Sequence, residues 1–207
     1  MKKIIIKANQ EQIEEFGNWL EEKLFFKRIE SPNFVYKNGN CLLEICTMET
    51  VLSEEGFYEG FAHIALDSSD IYAALQYCQT EKLSLELEGE DIFLNPRVYG
   101  EGAYYFNIIS PFGIVFEISQ RKDYAGEVRK PVIAGINHMG LQVTDIHQTL
   151  QDYQEEGYKS EFEIVVNEDS TGNAVQVIMM KKDNIVVEIF QIEGISPCSN
   201  KRIFVEK

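Results

Sequence analysis

Apolar and polar residues alternate along short stretches of this chain, then give way to helical spacing, then alternate again. Phe61-Ala-His63-Ile-Ala-Leu-Asp-Ser-Ser-Asp70-Ile71 is followed by Tyr-Ala-Ala-Leu75, and Ile136-Asn-His138-Met-Gly-Leu-Gln-Val-Thr-Asp145-Ile146 by His-Gln-Thr-Leu150. In both stretches a histidine in an alternating segment precedes an Asp-Ile pair by the same distance, 63 to 70 and 138 to 145. Two matches in register mark an internal repeat, whose recognition must precede any reading of the fold. Alternation predicts a half-buried strand around each histidine. Asp70 and Asp145 stand where a helix N-cap belongs, because a short carboxylate accepts from backbone N–H groups that lack an intrahelical partner. Ile71, Leu75 and Cys78 then line one helical face, as do Ile146, Leu150 and Tyr153, with Gly157 as the later stop. Strands are expected over Leu83 to Leu87, Ala103 to Ile109 and Ile114 to Ser119. In the later copy they are expected over Tyr158 to Val166, Ala174 to Met180 and Ile185 to Ile192. Ser-Pro-Phe-Gly (110–113) and Lys-Lys-Asp-Asn (181–184) supply the turns before the last strands.

The unit is therefore βαβββ, written twice, and a weaker copy stands in front of it. Lys3 to Ala8 reads as a first strand. Ile13, Phe16, Leu20 and Leu24 mark an amphipathic helix from about Gln10. Phe25 to Ile29, Phe34 to Lys37 and Cys41 to Met48 read as strands, with Asn38-Gly39 as a turn. Aligning Ile13 with Ile71 places Ile5 where the histidine would stand. The expected division is a degenerate module over 1–50, modules over 60–121 and 135–192, a charged linker with Pro131 over 122–134, and a tail over 193–207.

Composition narrows the class. The 207 residues are 44% hydrophobic and 26% charged, enough to bury a core. Apolar runs such as Ile4-Ile5-Ile6 are too short to span a bilayer, and the N-terminus lacks the apolar stretch of a signal peptide. The cysteines Cys41, Cys46, Cys78 and Cys198 form no Cys-x-x-Cys pair, so reduced thiols in a cytoplasmic protein are expected rather than a zinc knuckle. A formal charge of −15, from 19 Lys+Arg against 34 Asp+Glu, repels phosphate backbones and anionic membranes. Neither nucleic acid nor a membrane is expected as a partner. A small anionic substrate is compatible with this charge, because a local Arg or a metal ion can dominate its own pocket.

Each repeat also carries a glutamate on its last strand, Glu117 in Ile-Val-Phe-Glu-Ile-Ser and Glu188 in Ile-Val-Val-Glu-Ile-Phe. Tandem βαβββ modules with a first-strand histidine and a last-strand glutamate resemble the vicinal-oxygen-chelate superfamily, which includes glyoxalases, bleomycin-resistance proteins and extradiol dioxygenases. The turn-and-strand run Ser-Pro-Phe-Gly-Ile-Val-Phe-Glu-Ile and the opening His138-Met-Gly-Leu-Gln-Val-Thr-Asp-Ile carry that resemblance. It covers 61–192 well and 1–50 loosely. It implies an α+β fold in which paired modules form curved, cup-shaped mixed sheets around a divalent metal. The implied ligands are His63, Glu117, His138 and Glu188, a set similar to that of nickel- or cobalt-type glyoxalase I.

Two imidazoles and two carboxylates suit nickel, cobalt, manganese, iron or zinc, with room for a substrate to chelate through adjacent oxygens. A lyase, isomerase or epimerase would then use Glu117 or Glu188 as proton carrier, and the sequence does not rank them. The alternatives are a bleomycin-resistance-like protein, with Tyr99, Tyr104, Tyr105 and Phe106 around an apolar pocket, and an extradiol-type dioxygenase using His63, His138 and Glu188. The chain has three histidines in all, and His147 falls on a helix, which disfavours the dioxygenase. Arg97 and Arg121 are candidates for an anionic substrate group. Glu44 matches Glu117 and Glu188 by repeat position but lacks a histidine partner. Three modules leave one unpaired, which predicts a homodimer. A pairing of the first two modules instead would separate the four proposed ligands.

Overall fold

In the computed structural model, residues 3–30, 34–53, 56–86, 92–168, 172–197 and 200–207 are described. Cys198 falls outside them, as does the end of the strand expected at Leu83 to Leu87. The front module consists of β1 (Ile4–Ala8), α1 (Ile13–Leu24), β2 (Lys27–Glu30), β3 (Phe34–Asn38) and β4 (Cys41–Thr47). A short strand, β5 (Phe57–Glu59), follows. The second module is β6 (His63–Ser68), α2 (Ile71–Thr80), β7 (Ser84–Leu85), β8 (Phe93–Asn95), β9 (Ala103–Ile109) and β10 (Val115–Arg121). The third is β11 (Ile133–Gln142), α3 (Ile146–Glu155), β12 (Lys159–Ser160), β13 (Val165–Glu168), β14 (Ala174–Lys182) and β15 (Ile185–Ile192). The segment read as a tail contributes β16 (Ile203–Glu206).

The single strand expected over Tyr158 to Val166 is two short ones, β12 and β13, both paired with β14. In every module the first strand lies parallel to the last: β1 with β4, β6 with β10, β11 with β15. Such a pairing requires a crossover, and the module helix supplies it. Both expected N-caps form, Asp70 accepting from the N–H groups of Tyr72 and Ala73, and Asp145 from those of His147 and Gln148. The last strands hold the same helix starts. Ile71 N donates to Gln120 Oε1 (2.8 Å) and Ile146 N to Gln191 Oε1 (2.9 Å).

The second and third modules share one strongly curled ten-stranded mixed sheet, a half-barrel ordered β12-β14-β15-β11-β6-β10-β9-β7, with β13 added on β14 and β8 on β9. Their first strands, β6 and β11, meet antiparallel at its centre. Alternation sorts the residues between its faces. Ile64, Leu66, Phe116, Ile118, Met139, Val187 and Ile189 join the buried core on one face. His63, Glu117, His138 and Glu188 lie on the other. The front module builds a six-stranded sheet, β2-β3-β4-β1-β16-β5, in which β16 pairs antiparallel with β1. Its helix packs on the core face of the large sheet, with Phe16 against Phe112 (ring centroids 4.8 Å apart) and Trp19 against Phe116 (5.7 Å). No helix among the described residues is long and apolar enough to cross a membrane.

Candidate metal centre

Four donors converge in the cup of the large sheet. His63 opens β6, Glu117 lies on the neighbouring β10, His138 on β11 and Glu188 on the adjacent β15. The two Nε2 atoms are 3.2 Å apart. His63 Nε2 is 3.8 Å from Glu117 Oε2 and 3.4 Å from Glu188 Oε2. His138 Nε2 is 3.6 Å from Glu117 Oε1 and 3.6 Å from Glu188 Oε2. One donor atom from each of the four residues lies within 4.8 Å of all the others. A six-coordinate ion with bonds of about 2.1 Å places adjacent ligands about 3.0 Å apart and opposite ones about 4.2 Å apart. The spacings around the two histidines lie between those two values, so the four residues could hold a metal ion. The sequence-based ligand set thus meets at one point, because the second and third modules pair within the chain.

Burial sets the electrostatics. Burial pushes Glu117 upward, and the proximity of Glu188 adds to this, against the pull of His138 and His63; the net shift is up. Glu188 feels the same burial, but His138 and His63 outweigh it and hold the carboxyl below its usual range. For His138 burial works downward, while Glu117 and Glu188 win and raise it. Two carboxylates and two imidazoles packed this tightly are poorly shielded by water, and a shared cation would offset that cost.

A small residue beside each histidine makes the packing possible. Gly140 pairs with His63 across the β6–β11 ladder, and Ala65 pairs with His138. A Cβ on Gly140 would overlap Cε1, Nε2 and Nδ1 of the His63 ring. Phe190 stacks near the same imidazole, its centroid 6.0 Å away. These residues were not singled out from the sequence, although the signal is there: in both copies the residue two places after the histidine is small.

The donors open into a cavity of about 950 Å³. Val98, Tyr99, Val177, Met179 and Phe190 give it apolar walls, and Arg97 and Asn107 are polar members. Of the expected pocket aromatics, Tyr99 and Tyr105 line the cavity. Phe106 faces the other side of β9 and joins the core, and Tyr104 packs against that core. Alternation along β9 accounts for the split. Arg121 does not line the cavity. It is paired with Asp123 and lies over the Tyr99 ring. His147 is exposed on α3.

The repeat alignment at the front needs correction. Glu117 pairs with Ala65 and Glu188 with Gly140, each two residues beyond a histidine, whereas Glu44 pairs with Ile5. The position matching the histidine is therefore Lys3, just before β1, not Ile5, and Lys3 is ion-paired with Glu44. A turn of 3-10 helix over Gln10–Gln12 lengthens the connection to α1, so matching the helices misplaces the strand by two residues.

No protein-family model and no curated protein matches the sequence. Solved structures do. A glyoxalase I mutant from Zea mays superposes with a TM-score of 0.60 at 16% identity, over 94% of this chain and 69% of that one. A mutant 4-hydroxymandelate synthase from Streptomyces coelicolor gives 0.53 at 10% identity, over 96% of this chain and 72% of that one. The chain has the vicinal-oxygen-chelate fold. At these identities the likeness is one of fold, and the donor group is read from this chain's own residues.

Proposed function

We propose that the chain binds one divalent metal through His63, Glu117, His138 and Glu188. We propose further that it acts as a cytoplasmic lyase, isomerase or epimerase on a small molecule with two adjacent oxygens. The observation that carries this reading is the convergence of four buried donors from two repeats at the spacings of a single coordination shell. Nickel, cobalt, manganese, iron or zinc would suit the nitrogen and oxygen donors. When bound, the ion supplies Lewis acidity that lowers the cost of negative charge on substrate oxygens. The chain's own residues do the rest. The two imidazoles hold their side of the site rigid, Glu117 and Glu188 are placed to take and return a proton, and the apolar walls keep water from competing. A cavity of about 950 Å³ accommodates a body much larger than the chelating head.

The dioxygenase reading uses two histidines and one carboxylate. It is disfavoured because Glu117 stands at His138 as closely as Glu188 does, and the remaining histidine of the chain, His147, is on the helix. The apolar walls favour, as second reading, capture of a small molecule without turnover. All four donors come from one chain, so the site needs no second copy. The odd number of modules carries the further proposal of a homodimer, in which the front module, whose first strand pairs with β16 inside the chain, meets its counterpart.

The test is metal content after purification without chelator or affinity-tag metal. About one ion per chain, lost in His63→Ala and Glu188→Ala, is expected. No ion after incubation with each of the five metals would discard the enzyme reading and leave the binding protein.

A further inference from the structure

We infer that Asn137, held by Asp67 and Arg129, is a positioning residue that fixes which nitrogen of His138 carries the proton and so points the lone pair of Nε2 into the cup. The inference builds on the reading of His138 as a ligand, but its geometry stands apart from any metal.

The register of β11 against β6 breaks beside His138. Ile136 pairs with Leu66 and His138 with Ala65, so Asn137 is an extra residue opposite none of its own. Such a bulge lets consecutive side chains reach the same neighbourhood, which a regular strand forbids, and bulges recur beside functional sites for this reason. Here it brings the Asn137 amide against both the His138 ring and Asp67. Asn137 Nδ2 donates to Asp67 Oδ1 (3.2 Å), and Asn137 Oδ1 lies 2.9 Å from His138 Nδ1. Arg129 Nη2 donates to the other oxygen of Asp67 at 2.6 Å, and Arg129 N donates to Ser69 Oγ (2.9 Å).

The donor and acceptor roles then follow one from the next. A carboxylate paired with a guanidinium accepts only, and Asp67 makes that pair with Arg129 through its other oxygen. The Asn137 amide must therefore turn its NH₂ to Asp67 and its oxygen to the histidine. An amide oxygen accepts only, so Nδ1 of His138 must carry hydrogen. In the neutral ring Nε2 is then a bare lone pair, aimed at His63, Glu117 and Glu188. His63 Nε2, 3.2 Å away, takes the donor role toward it. A ligand histidine whose second nitrogen is held this way is prepared for a metal without rotating or changing tautomer. The second module has Ala62 at the matching position, so the device serves one histidine of the pair.

The test is the ¹⁵N NMR of the histidine rings in metal-free protein at alkaline pH, in the wild type, Asn137→Ala and the isosteric Asp67→Asn. His138 is expected as the Nδ1–H form in the wild type. In both variants the Nε2–H form should appear, and affinity for cobalt(II) alone should fall 10- to 100-fold. An Nε2–H His138 in the wild type would overturn the inference. So would an unchanged tautomer and unchanged cobalt affinity in folded Asp67→Asn, since an isostere spares packing and removes only the acceptor-only carboxylate. A wild type that shows the Nδ1–H form yet binds no cobalt would sink the metal site and leave the positioning role standing.

Discussion

Adding one methyl group at Gly140 should disable the centre while leaving the sheet folded. Its φ is not in the left-handed region, so glycine is needed there for room rather than for backbone freedom. The room is taken by the His63 ring, three of whose atoms would lie only 2.0, 2.2 and 2.4 Å from an alanine Cβ. To restore ordinary contact the ring must retreat by about 1 Å or more, whereas metal–ligand distances tolerate only about 0.2 Å. His63 would leave the coordination shell. Loss of this ligand should weaken metal binding by at least about 100-fold, or about 2.7 kcal/mol. The overpacking itself costs about 1–3 kcal/mol of stability. Calorimetric titration of Gly140→Ala with nickel or cobalt, beside its thermal unfolding, separates the two effects. Unchanged metal affinity in the folded variant would show that the ring does not depend on the glycine, and the reasoning would fail.

Other consequences can be measured on the same preparations. Burial pushes the thiols of Cys41 and Cys78 up to about 12, so neither should react with a thiol reagent at about pH 8 unless the protein unfolds. Their folded values exceed the ordinary 9.0, so their contribution to stability is intact below about pH 9. It should drain away toward pH 12 at about 1.4 kcal/mol per pH unit for each thiol, read by denaturant titration. Glu44→Gln breaks the partly exposed pair with Lys3 and should cost less than about 1 kcal/mol with no change in metal content. Removing residues 201–207 bares the edge of β1. Light scattering should then show stronger self-association than for the full chain.

Much of the centre was legible because the repeat is. Equal spacing from histidine to N-cap in two copies locates the strands, and identical strand order then carries His63 and His138 to the middle of one sheet, with Glu117 and Glu188 on the flanking strands. What sequence spacing could not supply was anything fixed by the partner strand. Gly140 matters through a ring 77 positions away in sequence, and Asn137 through a bulge that only the β6–β11 register reveals. Lys3 was missed for a related reason. Helices are the easier elements to align, and the inserted turn at Gln10–Gln12 uncouples the helix from its strand. Nor did the pattern at 193–207 announce β16, a strand of four residues whose place depends on an edge far back in the chain.

That strand explains how a module can persist without a site. Where β11 brings His138 opposite Ala65 on β6, β16 brings Phe204 opposite Ile5 on β1, at the equivalent point of the ladder. The front sheet thus repeats the pairing at the centre of the cup with a phenylalanine in place of one histidine and Lys3 in place of the other. Glu44 keeps its charge because Lys3 neutralises it. Trp19 of α1 presses on Phe116, whose neighbour Glu117 points through to the opposite face of β10. A strand buried on both faces has little freedom to tilt, and a metal shell needs its ligands held to within a fraction of an ångström. The front module, with Lys3 and Phe204 at the two histidine positions, packs as the backing behind the strand that carries Glu117.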